Sequence, residues 1–285
     1  MFIARLIGEV RKELNKLGPK FSGELQVVKI KEGVKIFRLE NEETSYIVKY
    51  YDDIDMQRIL SNLQTLLISG IKIDVVASTD NVLISEDYEM HLGYRRLTQE
   101  DLNDEEIVKN IARWYKIFHL VCIDDVYDYN NYFSLRNINT IIETLNLKRN
   151  AFFSYIIANF DNIKLKLNRI KKTVLYRNFS LENVMISCDN SDLFFTGLDT
   201  IYIGYRYNDI DNVLENIDKK YHPIFMQEYG TVSDDEIIIN EVVGTVISLY
   251  FATKEKIFPL WGKKYLEKIN DKKILETAKA VVNWY

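Results

Sequence analysis

The chain has 285 residues, 47% hydrophobic and 28% charged, a balance that builds a packed core and excludes a disordered chain. Its formal net charge of −5 disfavours non-specific attraction to nucleic acid or to an anionic membrane, and no basic stripe interleaved with aromatics works against that reading. Three scattered histidines and two cysteines show no metal-ligand spacing; Cys122 and Cys188 each lie among apolar residues and read as buried free thiols of a reducing compartment.

The N-terminal stretch MFIARLIGEVRKELNKL lacks the order of a signal peptide and reads as an amphipathic helix, with Phe2, Ile3, Leu6, Ile7 and Val10 on one face. ELQVVKIK (24–31), VKIFRL (34–39) and SYIVKYY (45–51) are short runs rich in β-branched and aromatic residues, divided by Glu32-Gly33 and by ENEE, as antiparallel hairpins require. A helix is expected over 54–69, from Ile59, Leu60, Leu63, Leu66 and Leu67 at helical spacing. KIDVVAS, NVLIS and YEMHL read as further short strands.

From Thr98 the pattern turns helical. Thr98 and Asp101 stand at capping-box spacing, and Asn103 with Glu106 offers a second start. Ile107, Ile111, Trp114, Phe118 and Val121 then form one apolar stripe. More helix is expected over 134–171, interrupted afterwards by the strand-like runs VMIS and LFFTGLD, with helix again from about residue 208 to the end. The longest apolar runs, such as VVGTVISLYFA, are about half of a membrane span. A soluble, cytoplasmic α+β protein is expected, with no membrane or nucleic-acid partner.

Several residues in this order carry chemistry. Lys49 lies on the third strand-like run. VLYRNFSLENVMIS (174–187) holds Tyr176, Asn178 and Asn183 in a polar loop, and Asp199 ends LFFTGLD sixteen residues after Asn183. RYNDI (206–210) follows with Asp209. This set, in this order, resembles the aminoglycoside phosphotransferase and choline kinase family, over roughly residues 24–250. The resemblance implies a two-lobed protein-kinase-like fold: a small antiparallel β N-lobe, residues 1–95 with the N-terminal helix, and a larger mainly helical C-lobe, residues 96–285, carrying the loop at 174–199.

The resemblance also implies roles. Lys49 would hold the α- and β-phosphates of ATP or GTP. Gly33 matches the turn that covers the nucleotide, and main-chain groups near Glu89–Leu92 would meet the base. Asn183 and Asp199 would bind Mg²⁺. Tyr176 stands where the family has histidine, and Asp209 would brace the loop. His119 matches a structural histidine. The family pairs its lysine with a glutamate on the next helix; DIDMQRILSNLQTLL has none, leaving only Asp53 or Asp55 near its start. The acceptor, a small hydroxylated molecule, would face Asn178, with Asp209, Asp211, Glu215, Asp218, Glu228 and the run 234–236 as acidic groups suited to a cationic amino sugar, aminoglycoside or choline-like alcohol.

Asn178 departs from the pattern. The family has aspartate there as general base, and an amide orients a hydroxyl without accepting its proton. Three readings stand: a natural non-catalytic member, a pseudokinase that binds a ligand or a protein partner, or serves in assembly as spore-coat relatives do; an enzyme inactivated by an Asp-to-Asn change; or an enzyme using another carboxylate.

Overall fold

The computed structural model describes residues 2–31, 33–42, 44–91, 93–177 and 179–283, with the side chains of residues 89 and 91 outside the description. Helix α1 (Phe2–Asn15) is followed by three strands, β1 (Glu24–Ile30), β2 (Val34–Glu40) and β3 (Ser45–Tyr51). Helix α2 (Met56–Ile68) then leads to β4 (Val75–Ser78) and β5 (Val82–Glu86). The five strands form one antiparallel sheet in the order β1-β2-β3-β5-β4. Leu6, Val10 and Leu14 of α1 pack with Phe37, Leu39, Val48 and Ile84 of the sheet, while Phe2 and Ile3 at its start stay exposed. The apolar stripe thus begins to bury one turn later than its hydrophobic pattern starts.

YEMHL, read as a strand, is instead a short helix, α3 (Tyr88–His91), because the sheet ends at Glu86 and Met90 N–H closes a turn onto the carbonyl of Asp87. A short strand, β6 (Tyr94–Arg96), precedes α4 (Glu105–Phe118). Thr98 and Asp101 do exchange the capping-box hydrogen bonds, but these open a single 3₁₀ turn; α4 itself is capped by Asp104, which accepts from Glu106 N–H, and not by Asn103. Ile107, Ile111, Trp114 and Phe118 are buried along α4 as their spacing requires.

The helical stretch expected over 134–171 is three helices, α5 (Leu135–Thr144), α6 (Ala151–Ala158) and α7 (Phe160–Arg169), parted by the turn at 145–150, which holds Asn146 and Asn150, and by Asn159. Strands β7 (Thr173–Leu175), β8 (Val184–Ser187), β9 (Leu193–Phe195) and β10 (Tyr202–Gly204) follow. β8 and β9, the two strand-like runs read from sequence, form a hairpin and take β6 as a third strand, whereas β7 pairs with β10. The rest is helical: α8 (Tyr207–Leu214), α9 (His222–Tyr229), α10 (Asp234–Ile239), a π-helical turn at Asn240–Gly244, α11 (Thr245–Ala252), α12 (Leu260–Lys268) and α13 (Lys272–Val282).

Internal contacts divide the chain into two compact units, Met1–Asp125 with Asn178–Thr200, and Val126–Arg177 with Ile201–Tyr285. The second has its own apolar core, built from α5, α6 and α7 with the π-helical turn, α11 and α13. Both cysteines are exposed, which corrects their reading as buried thiols. Cys122 lies in the loop after α4 and Cys188 in the turn after β8, so their apolar sequence neighbours point inward while they do not. Among the described residues, no helix is long and apolar enough to cross a membrane, and no cluster of His, Cys, Asp and Glu could hold a metal by itself.

Candidate functional site

Strand β3 lies inside the sheet, between β2 and β5, and sets Lys49 opposite Ile36 and Leu83. The Lys49 ammonium forms an ion pair with Asp199. Asp199 follows β9 by way of Gly197, whose φ of 76° turns the chain away from the hairpin. The other carboxylate oxygen of Asp199 accepts from the Tyr51 hydroxyl, two residues along β3 from Lys49. Burial alone would raise the Asp199 pKa, but the Lys49 charge and the hydrogen bonds from Lys49 and Tyr51 bring it below the usual carboxylate range. Burial likewise works against the Lys49 charge, and Asp199 outweighs it, so the ammonium is held protonated.

A third charged group belongs here. Asp74, just before β4, is pinned by the hydrogen bond from Glu86 N–H to its own carbonyl. Its pKa is raised by burial and by Asp199, and the Lys49 charge and a hydrogen bond with Ser85 only partly offset this. Lys49 thus has carboxylates from two strand ends, and none from α2. Asp55, considered from sequence for that role, caps α2 instead by accepting from Arg58 N–H, and Asp53 is exposed.

The raised Asp74 pKa has a signed consequence. A carboxylate whose pKa is higher folded than unfolded destabilises the fold once ionised, and that cost vanishes below its unfolded pKa of about 3.9. Asp74→Asn is therefore expected to raise the melting temperature at about pH 8 and to leave it unchanged near pH 3.5, where Asp74 is already neutral. Thermal denaturation at both values checks this; a lowered melting temperature at the higher pH would contradict it.

Lys49, Asp74, Asn183 and Asp199 line one cavity of about 330 Å³, together with apolar side chains such as Ile36, Ile47 and Met185. This falls at the lower end of the range for small-molecule sites. The Asn183 carbonyl accepts from Thr196 N–H at 2.9 Å, tying the loop before β8 to the end of β9. Gly33 has a φ of 80°, a left-handed conformation that suits glycine, and joins β1 to β2 between Lys31 and Val34, both on the cavity wall. Tyr88 also lines the cavity; Leu92 and the side chain of Glu89 lie outside the described residues, as does Asn178.

The segment before position 178 belongs to the second unit. Asp209, at the start of α8, is 1% exposed and accepts from the N–H groups of Tyr176 (2.7 Å) and Arg177 (2.8 Å). Tyr176 is fully buried. Arg177 has a φ of 54°, uncommon for a side chain of its size. Its guanidinium donates to the Asn208 carbonyl and the Tyr129 hydroxyl and lies 4.7 Å from the centre of the Tyr129 ring.

The acidic residues of the second unit divide by what they touch. Asp218 caps a 3₁₀ turn, and Glu236 pairs with Arg206. Asp211 and Glu215 line a small polar pocket of about 30 Å³ with Arg177, Asn208 and Asn240. Asn240, in the π-helical turn, donates to Asp211 at 2.8 Å. Burial raises the Asp211 pKa, with Glu215 adding to it. Sequence reasoning missed Tyr51, Asp74 and Arg177; the second-neighbour spacing of Tyr51 and Lys49 on one strand was the available signal for the first.

No family model matches the sequence, and no curated protein matches it. Solved structures do. The choline kinase LicA from Streptococcus pneumoniae is 11% identical, with 98% of this chain and 100% of that one covered at a TM-score of 0.64. A choline/ethanolamine kinase family protein from Mesorhizobium loti is 10% identical over 97% of this chain and 98% of that one, at 0.65. A spectinomycin phosphotransferase, solved with ADP and spectinomycin, is 13% identical over 98% of each chain, at 0.61. The fold is protein-kinase-like. These similarities are of fold, across nearly the whole chain, and they are to kinases of small molecules. The α+β order of this kinase-like chain, strands first and helices after, is the one read from sequence.

Proposed function

We propose that the cavity of the first unit binds ATP or GTP with Mg²⁺, and that the chain is a phosphotransferase for a hydroxyl of a small molecule, slowed at its proton-transfer step by Asn178. The observation that carries this reading is the buried Lys49–Asp199 ion pair in a cavity also lined by Asn183. Relatives of this fold have been solved with AMP and with ADP.

The donor set fits the metal. Mg²⁺ takes oxygen ligands and is commonly held by one or two protein oxygens plus phosphates, and Asp199 with Asn183 offers a carboxylate and an amide oxygen. Bound there, Mg²⁺ would neutralise phosphate charge during transfer. Lys49 would exchange part of its contact with Asp199 for phosphate oxygens. Tyr51 would hold the Asp199 carboxylate in orientation through its hydroxyl. The apolar walls would exclude water and strengthen each of these interactions. At position 178 an amide oxygen would orient the acceptor hydroxyl and leave its proton to solvent. A cationic acceptor, of the amino-sugar or choline-like kind, would take the place of Lys264 on Glu215 and would favour the ionised form of Asp211.

The same asparagine favours a second reading, a kinase-like protein that binds nucleotide or a protein partner without turnover. Titrating ATP or GTP while following thermal unfolding tests the part the two share. With Mg²⁺ present, nucleotide at a hundred times its Kd is expected to add about 2.7 kcal/mol of stability, and Lys49→Met is expected to remove most of that gain. Absence of any shift with either nucleotide would remove the nucleotide site.

A further inference from the structure

The segment joining α11 to α12 presents three large apolar side chains to solvent within five residues: Ile257 (85% exposed), Leu260 (80%) and Trp261 (44%). The stretch is held on a firm base. Phe258 packs against the core of the second unit, and a Cβ at Gly262 would meet Ala252 at 2.8 Å and the Phe258 ring at 3.0 Å, so α12 sits as close to α11 as glycine permits. Pro259 ends the loop as the residue before α12. The apolar tip is thereby projected by packing on both sides.

Charge around the tip runs against that of the chain. Residues 254–264 hold four lysines, Lys254, Lys256, Lys263 and Lys264, all exposed, and one acid, Glu255, in a protein of net charge −5. Lys264 pairs with Glu215 and Lys254 lies over the Tyr250 ring, which leaves Lys256 and Lys263 flanking the tip most directly.

We propose that this tip is a peripheral docking site for an anionic lipid surface. Tryptophan and aliphatic side chains settle at the headgroup boundary of a bilayer, and lysines beside them are drawn to anionic lipid. Three side chains supply far less than the roughly 1,200 Å² that a stable protein interface buries, whereas a bilayer accepts single side chains. The chain's negative average charge governs its bulk behaviour; the tip is a local exception to it.

Co-sedimentation of the full chain with phosphatidylcholine vesicles, with and without phosphatidylglycerol, tests the proposal, with Trp261 emission as a second readout and Trp261→Phe as the control that assigns it. Binding to the anionic vesicles alone is expected, with a blue shift of Trp261 emission. Lys256→Ala with Lys263→Ala should weaken it roughly fivefold per lysine, and Ile257→Ser with Leu260→Ser should abolish it. These exposed side chains can be exchanged without opening the core, and an unchanged melting temperature verifies that. No partitioning at about 1 mM lipid, ten times the concentration that half-saturates a single myristoyl anchor, would overturn the proposal. So would binding that the substitutions leave intact. A concentration-dependent dimer that Ile257→Ser with Leu260→Ser converts to monomer would assign the tip to a second copy of the chain instead.

Discussion

Asn178→Asp is expected to raise the rate of phosphoryl transfer by about 10²–10⁴-fold, the usual contribution of a positioned general base. ATP hydrolysis in the absence of any acceptor provides the assay, since water then takes the place of the hydroxyl. Nucleotide affinity should be unchanged, because Lys49, Asn183 and Asp199 line the cavity whatever stands at 178. The rate and the affinity therefore answer different questions. A faster Asn178→Asp form would identify an intact phosphotransferase that lacks its base. Nucleotide binding with equal, background hydrolysis in both forms would favour the non-catalytic reading. The residual rate of the unchanged protein is expected to be above background, because phosphoryl transfer has a loose transition state that charge stabilisation and positioning already lower.

The second large effect is on stability. Asp209→Ala is expected to cost about 2–6 kcal/mol, since two N–H groups lose their buried acceptor at about 1–3 kcal/mol each. The loss would strand the N–H groups of Tyr176 and Arg177. It would also remove a negative charge that supports the buried Arg177 guanidinium, whose pKa burial pulls down and Tyr129 and Asp209 push back up. Arg177 holds a left-handed backbone conformation at φ 54°, and strain of order 1–3 kcal/mol persists at such positions only when the surroundings impose it. Urea unfolding measures the change, and Asp209→Asn, which keeps an acceptor for one of the two N–H groups, should cost less than Asp209→Ala. A loss under about 1 kcal/mol for Asp209→Ala would mean that water replaces the carboxylate at little cost.

Some of the site could be read in the amino-acid order because it rests on local rules. Lys49 belongs to a run whose β-branched and aromatic residues favour a strand, and it is one. Asn183 and Asp199 lie at either end of a hairpin, and a hairpin brings its two ends together by construction. Asp74 was not legible for the opposite reason. Its place near Lys49 depends on β5 pairing with both β3 and β4, and strand order is a property of the whole sheet. Helix α2 supplies no such partner, since Asp55 is engaged as the cap of that helix. The cysteines failed similarly: apolar neighbours along a chain say which residues seek the core, and a turn decides which of them reach it.

The amino-acid order alone carries the α+β character, most of the strands of the first ninety residues and the chemistry available at Lys49, Asn178, Asn183 and Asp199, because periodicity, turn residues and side-chain type are local; it does not carry α3, β6 or β10. Contacts in three dimensions set Asp74 and Tyr51 beside Lys49 and Asp199 and make residues 179–200 part of the same compact unit as the first 125. The same contacts leave Ile257, Leu260 and Trp261 in water. Those outcomes depend on contacts between residues far apart in the chain, where hydrophobic burial is non-directional and shape complementarity selects among many pairings that the pattern alone permits.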